Sequence, residues 1–137
     1  MTLVSERTPV PRFDGDAVDA CAQACFEAVC AGTAYADACL SQPPAIDHVA
    51  ALRAALDFVD TSGATWRVLT RKPAHPHAVR ALLLACAAAG RACADACARC
   101  AASPAQRERC VEAARRCAEA CAALLSADGR TWAKAAA

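Results

Sequence analysis

Cysteine recurs through this chain at the repeat of an α-helix. Cys21 and Cys25, Cys93 and Cys97, and Cys117 and Cys121 are each four residues apart, while Cys86 to Cys93 and Cys110 to Cys117 are each seven apart. Residues four apart on a helix stand one above the other, with about 5–6 Å between Cβ atoms. Seven residues complete two turns, so each such helix carries a column of sulfur on one face. Much of the rest is alanine. The hydrophobic fraction of 57% is inflated by alanine and cysteine, and aromatics make up only 4%. Small side chains let helices approach closely, which favours a tight helical bundle over a sheet.

The punctuation divides the chain into four helices. Pro9 and Pro11 precede a first helix over about 14–40, which Gln42, Pro43 and Pro44 end. A second is expected over about 45–71, with Gly63 inside it and its clearest apolar stripe at Val49, Leu52, Leu56 and Val59. Pro73 and Pro76, with His75 and His77 beside them, mark the next turn, and a third helix follows over about 77–102. The fourth, over about 104–126, is the best marked. Ser103 is its N-cap candidate, Pro104 fits the first helical position, Gln106 completes a capping box, and Asp128-Gly129 supplies a stop. Short connections between helices of similar length predict one all-α domain over 1–137. Its expected form is an antiparallel up-down-up-down four-helix bundle with cysteines lining the core.

The formal charge of +1 gives no basic field for nucleic acid. No apolar run of about 18 residues stands out, so no membrane span is expected. The first thirteen residues are polar and proline-punctuated, without a charged-then-apolar signal segment, so a reducing cytoplasm is the expected location. There, many cysteines point to metal or redox chemistry rather than a disulfide framework. Their number, 11, is odd, and partners four apart on one helix are poorly placed for a bridge that needs Cβ atoms near 4 Å.

Thiolates are soft ligands that favour Cu(I), zinc and iron–sulfur clusters. Structural zinc commonly uses Cys-x2-Cys knuckles in loops. Here the one such spacing, Cys97 to Cys100, falls within an expected helix, and the runs typical of iron–sulfur ligation are absent. Cu(I) accepts two or three thiolates without a demanding geometry. A pair at i and i+4 can clamp it from one helix, and a third sulfur can come from a neighbour, so stacked clamps would hold several ions per chain.

The stretch CAQACFEAVCAGTAYADACLSQ, the later RALLLACAAAGRACADAC and the CVEAARRCAEACAALL that follows combine cysteine spacing with characteristic flanking residues. With LDFVDTSGATWRVLTR between them, they resemble the four helices of the four-helix-bundle copper storage proteins, in particular the cytosolic members, over about 18–125. The resemblance implies a homotetramer of bundles whose core cysteines store Cu(I). Carried over position by position, it assigns metal binding to Cys21, Cys25, Cys39, Cys86, Cys93, Cys97, Cys110, Cys117 and Cys121. Elsewhere this chain departs from the family's seam, with Ala28, Gly32, Tyr35, Ala51, Phe58, Ser62, Gly90, Arg107 and Ala114. The second helix, LDCADVCAATGRVLTR in typical relatives, has lost every thiol. The histidine-rich turn that relatives carry before the fourth helix is here Ser103-Pro104-Ala105-Gln106.

Antiparallel packing then predicts two separated clusters in a store of reduced capacity. Cys21 and Cys25 should meet Cys117 and Cys121, with Cys86 near the same end. Cys39 should meet Cys97, Cys100 and Cys110 toward the other end, with Cys93 between. Cys100 is placed either to add a metal ligand at the bundle end or to sit at its rim. Cys30 lies half a turn around the first helix from Cys21, on the outer face. Tyr35, Phe58 and Trp66 read as packing residues. His48, His75 and His77 read as solvated, or as assisting metal access. Neither a phosphate loop nor a Glu-x-x-His motif occurs, and no enzyme activity is expected. The rival readings are a degenerate relative kept as an oligomeric scaffold, with the stripe of the second helix as assembly surface, and a thiol redox buffer.

Overall fold

A computed structural model of the chain describes residues 15–42, 48–71, 75–101 and 103–136. Four α-helices follow one another: α1 Gly15–Leu40, α2 Val49–Thr70, α3 Pro76–Ala98 and α4 Pro104–Ala136. The expected start of the second helix before His48 lies outside the described residues. Pro76 occupies the first turn of α3, where its missing N–H costs nothing.

The helices run up, down, up and down around one core. Val29 of α1 lies against Gly63 of α2, Phe58 of α2 against Gly90 of α3, Cys93 of α3 near Cys110 of α4, and Cys21 of α1 near Cys121 of α4. A second contact in each pair, Gly32 with Val59, Cys97 with Ala51, Cys86 with Cys117 and Cys25 with Cys117, shows one number rising as the other falls, so all four neighbouring contacts are antiparallel. The core is made of small side chains and sulfur, with Tyr35, Phe58 and Leu83 as its largest fully buried members.

Three local expectations change. Ser103 adopts a positive φ of 47° rather than the extended backbone of an N-cap, and its hydroxyl accepts a hydrogen bond from Gln42 Nε2 at 3.1 Å. It therefore ties the α3–α4 turn to the end of α1. The fourth helix does not stop at Asp128-Gly129 but continues to Ala136. A single glycine costs a helix only about 1 kcal/mol, and the alanines beyond it favour continuation. The third change concerns hydropathy: α3 is long and apolar enough to pass for a membrane span, with a mean hydropathy of 1.5. Alanine, leucine and cysteine raise that value, and one face of the helix lines the bundle core.

The apolar stripe of the second helix is not the face that α2 buries. Val49 and Leu56 are exposed, Leu52 and Val59 half-buried, and the buried face is Ala51, Ala55, Phe58, Ser62, Gly63, Thr65 and Leu69. Ser62 and Thr65 satisfy their hydroxyls by donating to carbonyls one turn back, Phe58 O at 2.7 Å and Thr61 O at 2.8 Å. They sit on the seam without an unpaired donor. At Gly32 a Cβ would come within 2.6 Å of a Val59 methyl, so α1 and α2 approach more closely there than a side chain allows.

Candidate metal centre

Ten of the eleven cysteines are buried, all eleven are free, and the exception is Cys30 on the outer face of α1. Helical spacing explains the burial. Each thiol column turns inward because its flanks carry the charged residues, such as the exposed Glu112–Arg116 pair of α4 at 2.8 Å.

The inward thiols gather into two groups. In the first, the sulfurs of Cys25, Cys86, Cys117 and Cys121 all lie within 4.8 Å of one another. They come from α1, α3 and α4. Cys86 is 3.6 Å from Cys117, Cys25 is 3.7 Å from Cys117, and Cys21 joins the group through Cys121 at 3.7 Å. In the second, Cys93, Cys97 and Cys110 from α3 and α4 meet within the same limit. Cys93 is 3.8 Å from Cys97 and 3.7 Å from Cys110. Cys93 thus belongs to this second group, the upper one where the four-sulfur group is the lower, and does not sit between the clusters, because residues 93 and 97 are one turn apart and both face Cys110.

Phe58 lies between the groups. Its ring is fully buried, and a Cβ built on Gly90 would stand 3.2 Å from its edge and 3.0 Å from the carbonyl of Ala114. The glycine is the notch that admits the ring. Large Phe58 is matched by small residues at the same level, Ala28, Gly32, Gly90 and Ala114. That exchange lets a bundle lacking second-helix thiols remain closely packed.

Within each group the sulfurs share protons unequally. Hydrogen bonding with Cys93 pulls the Cys110 thiol down to about 4, while the reciprocal interaction with Cys110 pushes Cys93 up. Hydrogen bonding with Cys110 also pushes Cys97 up to about 12. In the lower group hydrogen bonding with Cys117 pulls Cys86 down and pushes Cys25 up, and Cys121 pushes Cys117 up. Within each group some thiols are thus held toward the protonated form and others toward the thiolate. A soft cation replacing those protons relieves the crowding.

Cys39 and Cys100, both buried, lie toward the upper end, outside the tight three-sulfur group. Burial pushes Cys39 up. Cys100 contacts a residue whose partner the sequence did not identify: its sulfur is 3.3 Å from His48 Nδ1. The signal available was topological, since the start of a second helix and the end of a third share one end of an antiparallel bundle.

A helical bundle whose interior holds free thiols in groups of three and four has the donor set of a soft-metal holder. Family comparison makes the assignment specific. The family model described as copper storage protein matches residues 14–126, and the chain belongs to that family.

Several solved structures agree with this assignment. The structure of Ccsp from Streptomyces lividans loaded with 10 copper equivalents shares 36% identity at a TM-score of 0.78, covering 90% of this chain and 93% of that one. A five-copper structure of the cytosolic copper storage protein from the same organism shares 39% identity at a TM-score of 0.77, covering 82% and 94%. A Ccsp variant with two histidines replaced by alanine gives 39% identity and 0.77, covering 82% and 96%. No significant match is found among curated proteins.

Proposed function

We propose that the chain binds and stores Cu(I) through core thiolates in two separate stores. The lower would use Cys21, Cys25, Cys86, Cys117 and Cys121, and the upper Cys93, Cys97 and Cys110. The observation that carries this is the four-sulfur group, buried and drawn from three helices, with sulfurs close enough for one ion to be shared between chains of ligands. Cu(I) tolerates two- and three-coordinate thiolate sites, so such a cluster can take several ions by bridging sulfurs. Each ion bound replaces thiol protons, which pass to water. The reading is storage without catalysis.

The cytoplasm is the location this reading implies, supported by relatives described as cytosolic. A homo-oligomer, a tetramer in the fullest form, is supported by large apolar side chains left at the surface. Phe26 is 42% exposed and packs on Trp66 at 5.4 Å, and Leu56 and Leu84 are 44% and 50% exposed. Light scattering should return a multiple of the 14.1 kDa chain mass.

Anaerobic Cu(I) titration of the fully reduced protein against a chromogenic chelator tests the storage reading. Tight uptake of several equivalents per chain is expected. Uptake of none or one would mean that the bundle has been kept as a scaffold.

A further inference from the structure

Among the described residues, each hydroxyl buried in this bundle has a partner except one. Ser62 and Thr65, on the seam of α2, donate to Phe58 O and Thr61 O at 2.7 and 2.8 Å, and Ser103 accepts from Gln42. Tyr35 is completely buried, and its hydroxyl has no hydrogen-bond partner. Packing accounts for the ring but not for the oxygen. A phenylalanine would fill the same space without stranding a polar atom, and a stranded hydroxyl costs stability.

What surrounds the oxygen is sulfur. Cys39 stands one turn further along α1 on the same face, and Cys97 and Cys100 reach it from the end of α3, diagonally across the core. Cys97 belongs to the upper store, 3.8 Å from Cys93. Burial pushes the ionisation of the phenol up, so it keeps its proton and is a donor rather than a ligand. A neutral thiol is a weak acceptor, whereas a thiolate is a good one.

The lower store has no equivalent. Thr65 lies beside Cys86, but its proton is already given to the Thr61 carbonyl, and a bond to sulfur would break that one. The uncommitted donor therefore serves one store and not the other.

We infer that Tyr35 is a positioning residue of the upper store, its O–H unpaired while the thiols around it are protonated and donated to the sulfur of Cys97 or Cys39 once copper has replaced the thiol proton. The displaced proton passes to water, and the phenol keeps its own. Because the bond exists in the loaded state and not in the empty one, its strength adds directly to affinity. The inference rests on the storage reading, since copper is what creates the thiolate.

Tyr35 is the one tyrosine of the chain, so a 13Cζ-tyrosine label gives a single NMR signal that needs no assignment. During anaerobic Cu(I) titration of the reduced protein this signal should move toward the phenolate end of its range. It should still move when Cys25, Cys86, Cys117 and Cys121 are replaced by alanine, because the upper store alone carries the effect. Tyr35→Phe should act with opposite signs on the two states. The denaturation midpoint of the empty protein should rise, since an unpaired hydroxyl is removed, while the Cu(I) affinity of the upper store falls about tenfold, the worth of one hydrogen bond to a charged acceptor. The affinity of the lower store should not change. A Cζ signal that stays put while copper is taken up, or an upper-store affinity unchanged in Tyr35→Phe, would overturn the inference and leave storage intact. Absence of copper uptake in the parent chain would overturn both.

Discussion

At one end of the bundle the core closes on Val18, Leu69, Val79, Leu83 and Leu124; at the other it closes on Tyr35, Cys39, Cys100 and His48. The first is an aliphatic plug, each large side chain contributing about 1.5–3 kcal/mol by leaving water. The second exchanges that stabilisation for sulfur, a ring nitrogen and a phenol. The lower store lies between the aliphatic plug and Phe58, so carbon encloses it on both sides. The upper store lies between Phe58 and the polar end. What the difference teaches is a division of labour. One end is closed by carbon alone, the other carries sulfur, a phenol and a ring nitrogen, and Phe58 stands between the two sulfur groups.

The sharpest way to break this comparison is to delete one store at a time. Replacing Cys25, Cys86, Cys117 and Cys121 by alanine should remove the lower store's share of the Cu(I) endpoint, and replacing Cys93, Cys97 and Cys110 should remove the upper share. Each variant should keep its helicity, because alanine is the best helix former. If either variant loses all uptake in the chelator titration, the stores are not separate.

Phe58→Ala addresses the divider. The apo protein should lose about 3–5 kcal/mol in chemical denaturation, the usual cost of emptying a buried aromatic site. Stopped-flow Cu(I) loading should be biphasic in the parent chain, the upper store filling first, and should merge toward one phase in the variant. A single phase in the parent would remove Phe58 as a barrier.

Proton competition supplies a third test. Cys25, Cys93 and Cys117 are all pushed up by their sulfur neighbours, so they carry protons that the metal must displace. Raising the pH weakens that competition. Apparent Cu(I) affinity should therefore rise with pH, by about tenfold per pH unit for each proton released, until the displaced thiols ionise by themselves. A flat profile in competition titrations at several pH values would mean that the empty clusters are already fully thiolate.

Gly90→Ala probes the notch. The new Cβ would crowd Ala114 O and the Phe58 ring, and overpacking of this kind costs about 1–3 kcal/mol against a helix-propensity gain of about 1 kcal/mol. The net loss should shrink or reverse in a Phe58→Ala background, and a double-mutant cycle by thermal unfolding reads the coupling. The smallest effect belongs to Cys30→Ala. The residue is exposed and outside both groups, so stability should shift by less than about 0.5 kcal/mol and the copper endpoint not at all.

Much of the fold was legible because its signals are local. Pro76 and Pro104 start α3 and α4, and cysteine spacing of four and seven fixes which face of each helix carries sulfur. The cross-helix meeting of Cys25 with Cys117 followed from antiparallel order. The stripe of α2 was harder. Val49 and Leu56 are more hydrophobic than Ala51 or Ala55, yet the smaller residues are buried, because the seam must admit neighbouring backbones and a residue's size there counts for more than its hydropathy. Cys93 was placed too low, since one turn of register decides which group a thiol joins, and spacing along one helix does not set register against another. Ser103 does precede the first turn of α4, its carbonyl accepting from Arg107 N–H at 2.8 Å, but its hydroxyl is claimed by Gln42, 61 residues away in the chain, rather than by the helix.

The sequence by itself determined that this protein is a bundle of helices with thiols on their inner faces, because helical periodicity is a property of neighbouring residues. It also determined that the second helix brings no sulfur to the core. Only the tertiary structure decided that the remaining thiols form a group of four and a group of three, that Phe58 occupies the Gly90 notch between them, and that His48 faces Cys100. Those outcomes depend on the register and rotation of one helix against the next, which are set by how side chains from distant segments fill a shared volume.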